Sequence, residues 1–401
     1  MLRMKQVCSV LSTYTADVSG VCSALYEMGG MTIMHDASGC NSTYNTHDEP
    51  RWYHTPSMVY ISALSEMEAV LGGDSKLIDD VCRAAEELQP RFVALAGTPI
   101  PMMMGTDFQG IARSIERKTG IPAFGFATNG MHSYLSGVSM ALEKVAERFC
   151  DPSLRPEPVK PGDPLLVNLL GVTPLDFSVT GSVEALRTLC EENGFHVQSC
   201  WAMGSSWEEL MQCGRAQVNW VVSSAGLGLA RLLYKRYGTP YVMGLPMGRS
   251  LTKELMGELR EAAASGENPN FLCRQKATEE GEEGKSSYII GEPLWAASLR
   301  YALEREFGMK NLHILTPLEG ETSLLRKGDL AEAEEDDCFA SFQKAEYVFG
   351  DPLYEWAISR DSGAKLIRLP HEGCSGRMFR DEIPVLIGDH FEKWFEKEMQ
   401  K

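Results

Sequence analysis

The chain has 401 residues, 44% of them hydrophobic and 23% charged, with a formal net charge of −17. This is a globular composition with material for two or three domains, and the acidity excludes a nucleic-acid backbone or an anionic membrane surface as main partner. No run approaches the length of a membrane-spanning helix, the N-terminus lacks the apolar stretch of a signal peptide, and eleven cysteines without a CxxC pair describe a reducing, cytoplasmic chain.

In chain order, "MTIMH" (31–35) is the first expected strand, and "DSKLIDDVCRAAEELQP" (74–90) is a helix capped at Asp74 and stopped before Pro90. The strand "RFVALAGTP" (91–99) follows. "DPSLRPEPVKPGDP" (151–164), with five prolines, reads as a linker. Next come "PLLVNLLGVTP" (164–174), a helix ending at the left-handed cap Gly194, and "VNWVVSSAG" (218–226). A charged break, "EEGEEGK" (279–285), precedes "SSYIIGEP" (286–293) and a helix with Pro293 in its first turn and Gly308 after its last. "NLHILTP" (311–317), "AEYVFGDP" (345–352) and "AKLIRLP" (364–370) complete the series. These runs are short and apolar on both faces, as strands of buried parallel sheets are. The expected fold is α/β, with three Rossmann-like domains of mostly parallel sheets flanked by helices, over 1–155, 156–284 and 285–401. Ligands of such sheets lie beyond the carboxyl ends of the strands.

The nucleotide motifs fail. "GEEGKSS" (281–287) has Glu279 where a phosphate-binding loop needs its first glycine, and "SSAGLGLARLL" (223–233) has Arg231 where a dinucleotide fingerprint needs its third. Neither NAD nor ATP is expected on this chain. The densest chemistry is "MHDASGCNSTYNTHDEPRWYH" (34–54), which holds His35, Cys40, His47 and His54. Gly39 lets the backbone approach whatever Cys40 touches. The spacings match no usual zinc pattern, and residue chemistry alone leaves open a metal–sulfur ligand, a nucleophilic cysteine or a structural polar loop that meets a second subunit. The run "PIPMMMG" (99–105) suits core packing or an apolar interface.

"MHDASGC" resembles the H-x-x-x-G-C turn of nitrogenase component 1 type proteins. "EMEAVLGGDSKLIDD" (66–80), "PRFVALAGTPIPMMMGTDFQGIARSI", "GMHSYLSGVSMALEKV", "LLGVTPLDFSVTGSVEALRTLCEENGFHV", "YIIGEPLWAASLRYALEREFGMK" and "AEYVFGDP" resemble further segments of that family in the same order. The resemblance implies a subunit of a nitrogenase-like oxidoreductase, paired with a second component 1 type subunit as a hetero- or homodimer or a tetramer. An ATP-dependent iron–sulfur reductase would deliver electrons through a [4Fe–4S] cluster at the subunit interface to a substrate between the domains. Cys40 falls on a cluster ligand. The family's other ligand positions fall on Thr15 and Pro99, with Cys22 and Cys8 nearby but out of register. The cysteine and histidine that hold a large metal cofactor fall on Ser224 and His371, and the missing thiol at Ser224 argues against dinitrogen reduction. The implied site set is therefore Cys40 and Cys22 for metal, Gly39, His35 and Ser224 for cofactor, and His371 for proton delivery. A cluster could be completed by a partner's three ligands, or by two copies of Cys40 with Cys22, Cys8 or Asp36, or it could be lost. The rival functions are a non-catalytic scaffold for metal-cluster assembly and a cluster-free binding protein for a tetrapyrrole-like ligand.

Overall fold

The computed structural model describes residues 8–39, 41, 44, 48–160, 162–269, 271–274 and 284–400. Three wholly parallel sheets follow one another along the chain. Parallel neighbours cannot be joined by tight turns, so helices cross over between them. The first unit contains α1 (Asp17–Leu25), β1 (Met31–His35), β2 (Met58–Ile61), α2 (Glu66–Leu71), α3 (Asp74–Leu88), β3 (Val93–Gly97), α4 (Pro99–Met104), α5 (Phe108–Thr119), β4 (Ala123–Phe126) and α6 (Tyr134–Phe149). Its sheet order is β2-β1-β3-β4.

The second unit contains β5 (Leu165–Leu170), α7 (Pro174–Phe177), α8 (Ser182–Glu192), β6 (Phe195–Cys200), α9 (Trp207–Met211), β7 (Val218–Val221), α10 (Leu227–Tyr237), β8 (Tyr241–Met243), α11 (Gly248–Ser265) and α12 (Phe271–Arg274), with order β6-β5-β7-β8. The third contains β9 (Ser287–Ile290), α13 (Pro293–Phe307), β10 (Leu312–Thr316), β11 (Leu330–Ala331), α14 (Glu335–Phe342), β12 (Tyr347–Gly350), β13 (Lys365–Arg368) and α15 (His390–Met399), with order β11-β10-β9-β12-β13. The α/β expectation is met. Gly194 and Gly308 take left-handed backbone, with φ of 74° and 65°. Asp74 is not a cap: it is the first helical residue of α3, and Gly73 precedes it as the N-cap.

Each sheet reverses its winding at one place, between β1 and β3, between β5 and β7, and between β9 and β12. Loops leaving neighbouring strands diverge there and leave a crevice. The first two units are joined through α6, which touches α10 as well as α1. Two glycines permit the α1–α6 approach: a Cβ on Gly137 would stand 1.9 Å from the Asp17 carbonyl oxygen, and one on Gly20 2.2 Å from that of Tyr134. The N-terminal segment is strapped to the third unit. The Glu335 carboxylate accepts the backbone N–H groups of Ser9, Val10 and Leu11 at 3.0, 2.8 and 2.7 Å and the Ser9 hydroxyl at 2.7 Å. No helix among the described residues is long and apolar enough to cross a membrane.

Candidate functional site

The crevices of the second and third sheets open onto one small cavity of about 50 Å³. His371 reaches it three residues after β13. Asp176 comes from α7 beyond β5, Ser223 from the end of β7, Glu292 from the end of β9 and Asp351 from the end of β12. Tyr14, Phe177, Trp295 and Leu386 supply apolar wall.

His371 is fixed from both sides. Its Nδ1 accepts the Gly373 N–H at 3.1 Å, so the neutral ring carries its proton on Nε2. Nε2 lies 3.4 Å from Asp176 Oδ1 and 3.5 Å from the Tyr134 hydroxyl. Asp176 also accepts from Tyr134 Oη at 2.6 Å, Ser223 Oγ at 2.9 Å and Thr173 Oγ1 at 3.0 Å. Burial, and then the charge of Asp176, push the Tyr134 phenol well above its ordinary range. The Tyr14 ring meets the imidazole edge-on at 5.2 Å.

Two further carboxylates begin helical turns. Glu292 caps α13, accepting the N–H groups of Leu294 at 3.0 Å and Trp295 at 2.7 Å, and it also accepts the Ser224 N–H at 3.0 Å. Burial and the neighbouring Asp176 raise its pKa, because a low-dielectric site and a like charge both oppose ionisation. Asp351 accepts the His371 N–H at 2.9 Å and the Ser375 hydroxyl at 2.6 Å. Sequence reasoning passed over Asp176, Tyr134, Glu292 and Asp351. The usable signal was a strand ending in Gly, an acid and Pro, seen twice as "GEP" (291–293) and "GDP" (350–352).

These residues do not fit a large metal cofactor. The cavity holds only about 50 Å³, and position 224 presents a buried hydroxyl, not a thiol, that has no partner among the described residues. The volume suits a few waters or the tip of a small substrate. What the arrangement can do is hold a proton at Nε2 of His371, steady the cationic ring with Asp176, and exclude bulk water.

Cys40 and His47 lie outside the described residues. Gly39 is exposed and its φ is not positive, and among the described residues a Cβ there would meet nothing within 4 Å. Thr15 is bound through its backbone to Gly373 and Tyr134, and Pro99 opens α4. Cys22 lies inside α1 in the main core; burial raises its thiol strongly, with Glu49 adding to the effect. The expectation of Cys22 as a metal ligand thus falls on a thiol enclosed within α1, away from the surface. Cys8 lies by Glu335 of the third unit; its own burial, and then the charge of Glu335, raise its pKa. Among the described residues no group of three or more His, Cys, Asp or Glu could hold a metal ion.

The polar loop after Cys40 is partly core. Glu49 and Arg51, 1% and 4% exposed, pair at 2.6 Å. Arg51 also donates to Glu27 at 2.8 Å and to the Ala202 carbonyl of the second unit at 3.1 Å. His54 sits on an exposed turn. Beside the crevice of the first sheet, Met67, Val70 and Leu71 of α2 and Ile100, Met102 and Met103 of α4 are exposed, and α2 touches α4.

The family profile described as nitrogenase component 1 type oxidoreductase matches residues 18–353. The nitrogenase iron-molybdenum cofactor biosynthesis protein NifE of Klebsiella pneumoniae is 25% identical over 290 residues, covering 69% of this chain and 61% of that protein. One of the subunits of light-independent protochlorophyllide reductase from Synechococcus sp. is 25% identical over 258 residues, covering 59% of this chain and 51% of that protein. The chain thus spans between half and two thirds of the length of these curated relatives. In fold it is similar to the solved structure of nitrogenase Cp1 at pH 5, with a TM-score of 0.67 at 15% identity, covering 99% of this chain and 89% of that one. The profile match extends from α1 to just beyond β12, taking in the first two sheets whole and all of the third except β13, and so this chain belongs to the nitrogenase component 1 type oxidoreductase family as a divergent member.

Proposed function

We propose that this chain is a subunit of a nitrogenase-like oxidoreductase that reduces a small organic substrate rather than dinitrogen. The observation carrying this reading is the His371–Asp176–Tyr134 array, held where the crevices of two sheets meet. A reduction that adds electrons to an organic group needs protons at a fixed place. His371 Nε2 can give one, and Asp176 stabilises the imidazolium from which it leaves. We read the chain as three domains, 1–155, 156–284 and 285–401, and one parallel sheet falling within each supports that division. Electrons arrive from an ATP-dependent iron–sulfur reductase by way of a second component 1 type subunit. The exposed methionines and aliphatic side chains of α2 and α4 support docking of that subunit at the first crevice. A cluster at this face would take Cys40 from this chain and its other ligands from the partner.

The test is anaerobic co-purification of the chain with its second subunit, measuring iron, sulfide and the electron paramagnetic resonance signal. Cys40→Ala is expected to lose most of the iron, and unchanged iron would remove Cys40 from the reading. His371→Gln is expected to keep the iron and lower reductase-dependent turnover by about 10²-fold or more. The similarity to NifE supports a second reading, a scaffold that holds a cluster without turnover. It would bind iron through Cys40 yet show no reductase-dependent turnover with or without His371.

A further inference from the structure

A second cavity, of about 250 Å³, lies wholly within the first unit and shares no lining residue with the interdomain pocket. Its origin is legible in the strand geometry. Alternate residues of β1 face the same way, so Met31, Ile33 and His35 form one row. Tyr60 of β2 and Ser62 just beyond its end flank that row, and α3 covers it with Leu77, Val81 and the short side chain of Ala84. The cover is incomplete because Ala84 stops short, and space remains over β1.

The geometry points to this cavity as a binding site for a neutral, largely apolar aromatic molecule carrying one hydroxyl, of phenolic type, with that hydroxyl on His35. His35 is 5% exposed, its Nδ1 is 2.8 Å from Ser62 Oγ, and its ring lies edge-on to Phe108 at 5.9 Å. Its Nε2 has no partner among the described residues. Burial lowers the pKa of His35, with Asp74, Asp36 and Glu68 opposing, so the ring is neutral near pH 7. A hydroxyl both donates and accepts, and it satisfies Nε2 in either tautomer.

Charge and size narrow the ligand further. Glu68, Asp74 and Asp80 line the cavity against one cation, Lys76, so a carboxylate or phosphate is disfavoured. A dry cavity of about 150 Å³ accepts a benzene-sized molecule, and the larger volume here suits a fused pair of rings. On the solvent side Glu68 of α2 pairs with Lys76 of α3 at 2.9 Å. α2 has no buried residue and lies between Ala63, at φ 56°, and Gly72, at φ 75°.

The probes are 2-naphthol and naphthalene, titrated calorimetrically into the full chain. Wild type is expected to bind 2-naphthol saturably at one site and naphthalene at least about tenfold more weakly, the loss of one net hydrogen bond. Ala84→Phe, which extends a ring into the cavity, is expected to abolish binding of both. His35→Phe keeps the ring against Phe108 and is expected to erase the preference for the hydroxyl. Absence of saturable 2-naphthol binding to wild type overturns the site. So does full affinity in a normally folded Ala84→Phe protein, or a full hydroxyl preference in His35→Phe, which decides the matter should the first variant fail to fold. Iron content and turnover play no part in these readouts, so the outcome is independent of the oxidoreductase reading.

Discussion

Arg51→Met isolates the contact that ties the loop after Cys40 to the second unit. In the wild type the guanidinium makes hydrogen bonds to Glu49 Oε1 at 2.6 Å and Oε2 at 3.1 Å, to Glu27 at 2.8 Å, and to the carbonyls of Ser23 and Ala202 at 2.9 and 3.1 Å. It also lies 4.6 Å from the centre of the Tyr26 ring. Burial alone would favour a neutral Arg51, but Glu49 and Glu27 outweigh it and hold the cation charged. Among the described residues, removing it leaves Glu49 buried with the Ser23 and Tyr44 hydroxyls and the backbone N–H of position 51 as donors. Breaking one side of a buried pair costs about 3–5 kcal/mol, and the two orphaned carbonyls fall within that figure. Replacing both partners by apolar groups is far cheaper. Glu49→Leu/Arg51→Met is therefore expected to recover at least half of the loss, a coupling of about 1.5 kcal/mol or more. The assay is urea unfolding followed by circular dichroism and tryptophan fluorescence, using the first transition if the units separate. A loss below about 1 kcal/mol for Arg51→Met would place the pair among ordinary surface ion pairs and refute the reasoning. So would a double variant as unstable as the sum of the single ones.

Gly137→Ala should destabilise the chain by about 2 kcal/mol although alanine is the better helix former, because the new methyl has no room against the Asp17 carbonyl; a thermal midpoint equal to wild type would contradict the α1–α6 contact. Glu335 is held down to about 2, from an ordinary 4.5, by the backbone N–H groups of the N-terminal strap and the Ser9 hydroxyl. Its contribution is present above pH 4.5 and lost as pH falls toward 2, so Glu335→Gln should remove part of the acid sensitivity, read as the pH dependence of the urea midpoint. Glu292 has the opposite sign. Its pKa is raised by burial and by Asp176, so it weakens the fold as pH climbs above 4.5, and Glu292→Gln should flatten that decline; an unaltered slope would mean the carboxyl titrates normally.

How far the fold could be read from the sequence depended on where each strand sits. Every interior strand, β1, β3, β5, β7, β9, β10 and β12, coincides with an apolar run visible in the sequence. The strands that no such run marked are β2, β4, β6, β8 and β11, each at the edge of its sheet. An interior parallel strand is covered on both faces and flanked on both sides, so nearly every residue must be apolar. An edge strand is relieved of that demand: Tyr60 in β2 is exposed, as is His196 in β6, and both residues of β11 are exposed. The one edge strand that was marked, β13, shows through Leu366 and Ile367 between two charged residues.

The site was less legible, because the sequence records residue type while function depends on what faces it from other elements. The family comparison made Thr15 and Ser224 look like missing thiols, and the structure shows what those positions do here. The Thr15 backbone joins Gly373 to Tyr134, and the Ser224 N–H is taken by Glu292. Both positions are thus wired into the surroundings of the His371–Asp176 pair. Glu292 and Asp351 looked like helix-starting residues, and they are. No local pattern could say that β5 would send Asp176 across from another sheet, close enough to raise Glu292 and meet His371 at 3.4 Å. The coupling between that carboxylate pair and the imidazole is a property of how the second and third sheets face each other. A substitution that shifts the sheets without touching these residues, such as one in the α11–α13 packing, should therefore change the Asp176–His371 separation and shift the histidine's titration, read by NMR, as much as Asp176→Asn does; an unshifted titration would refute the coupling.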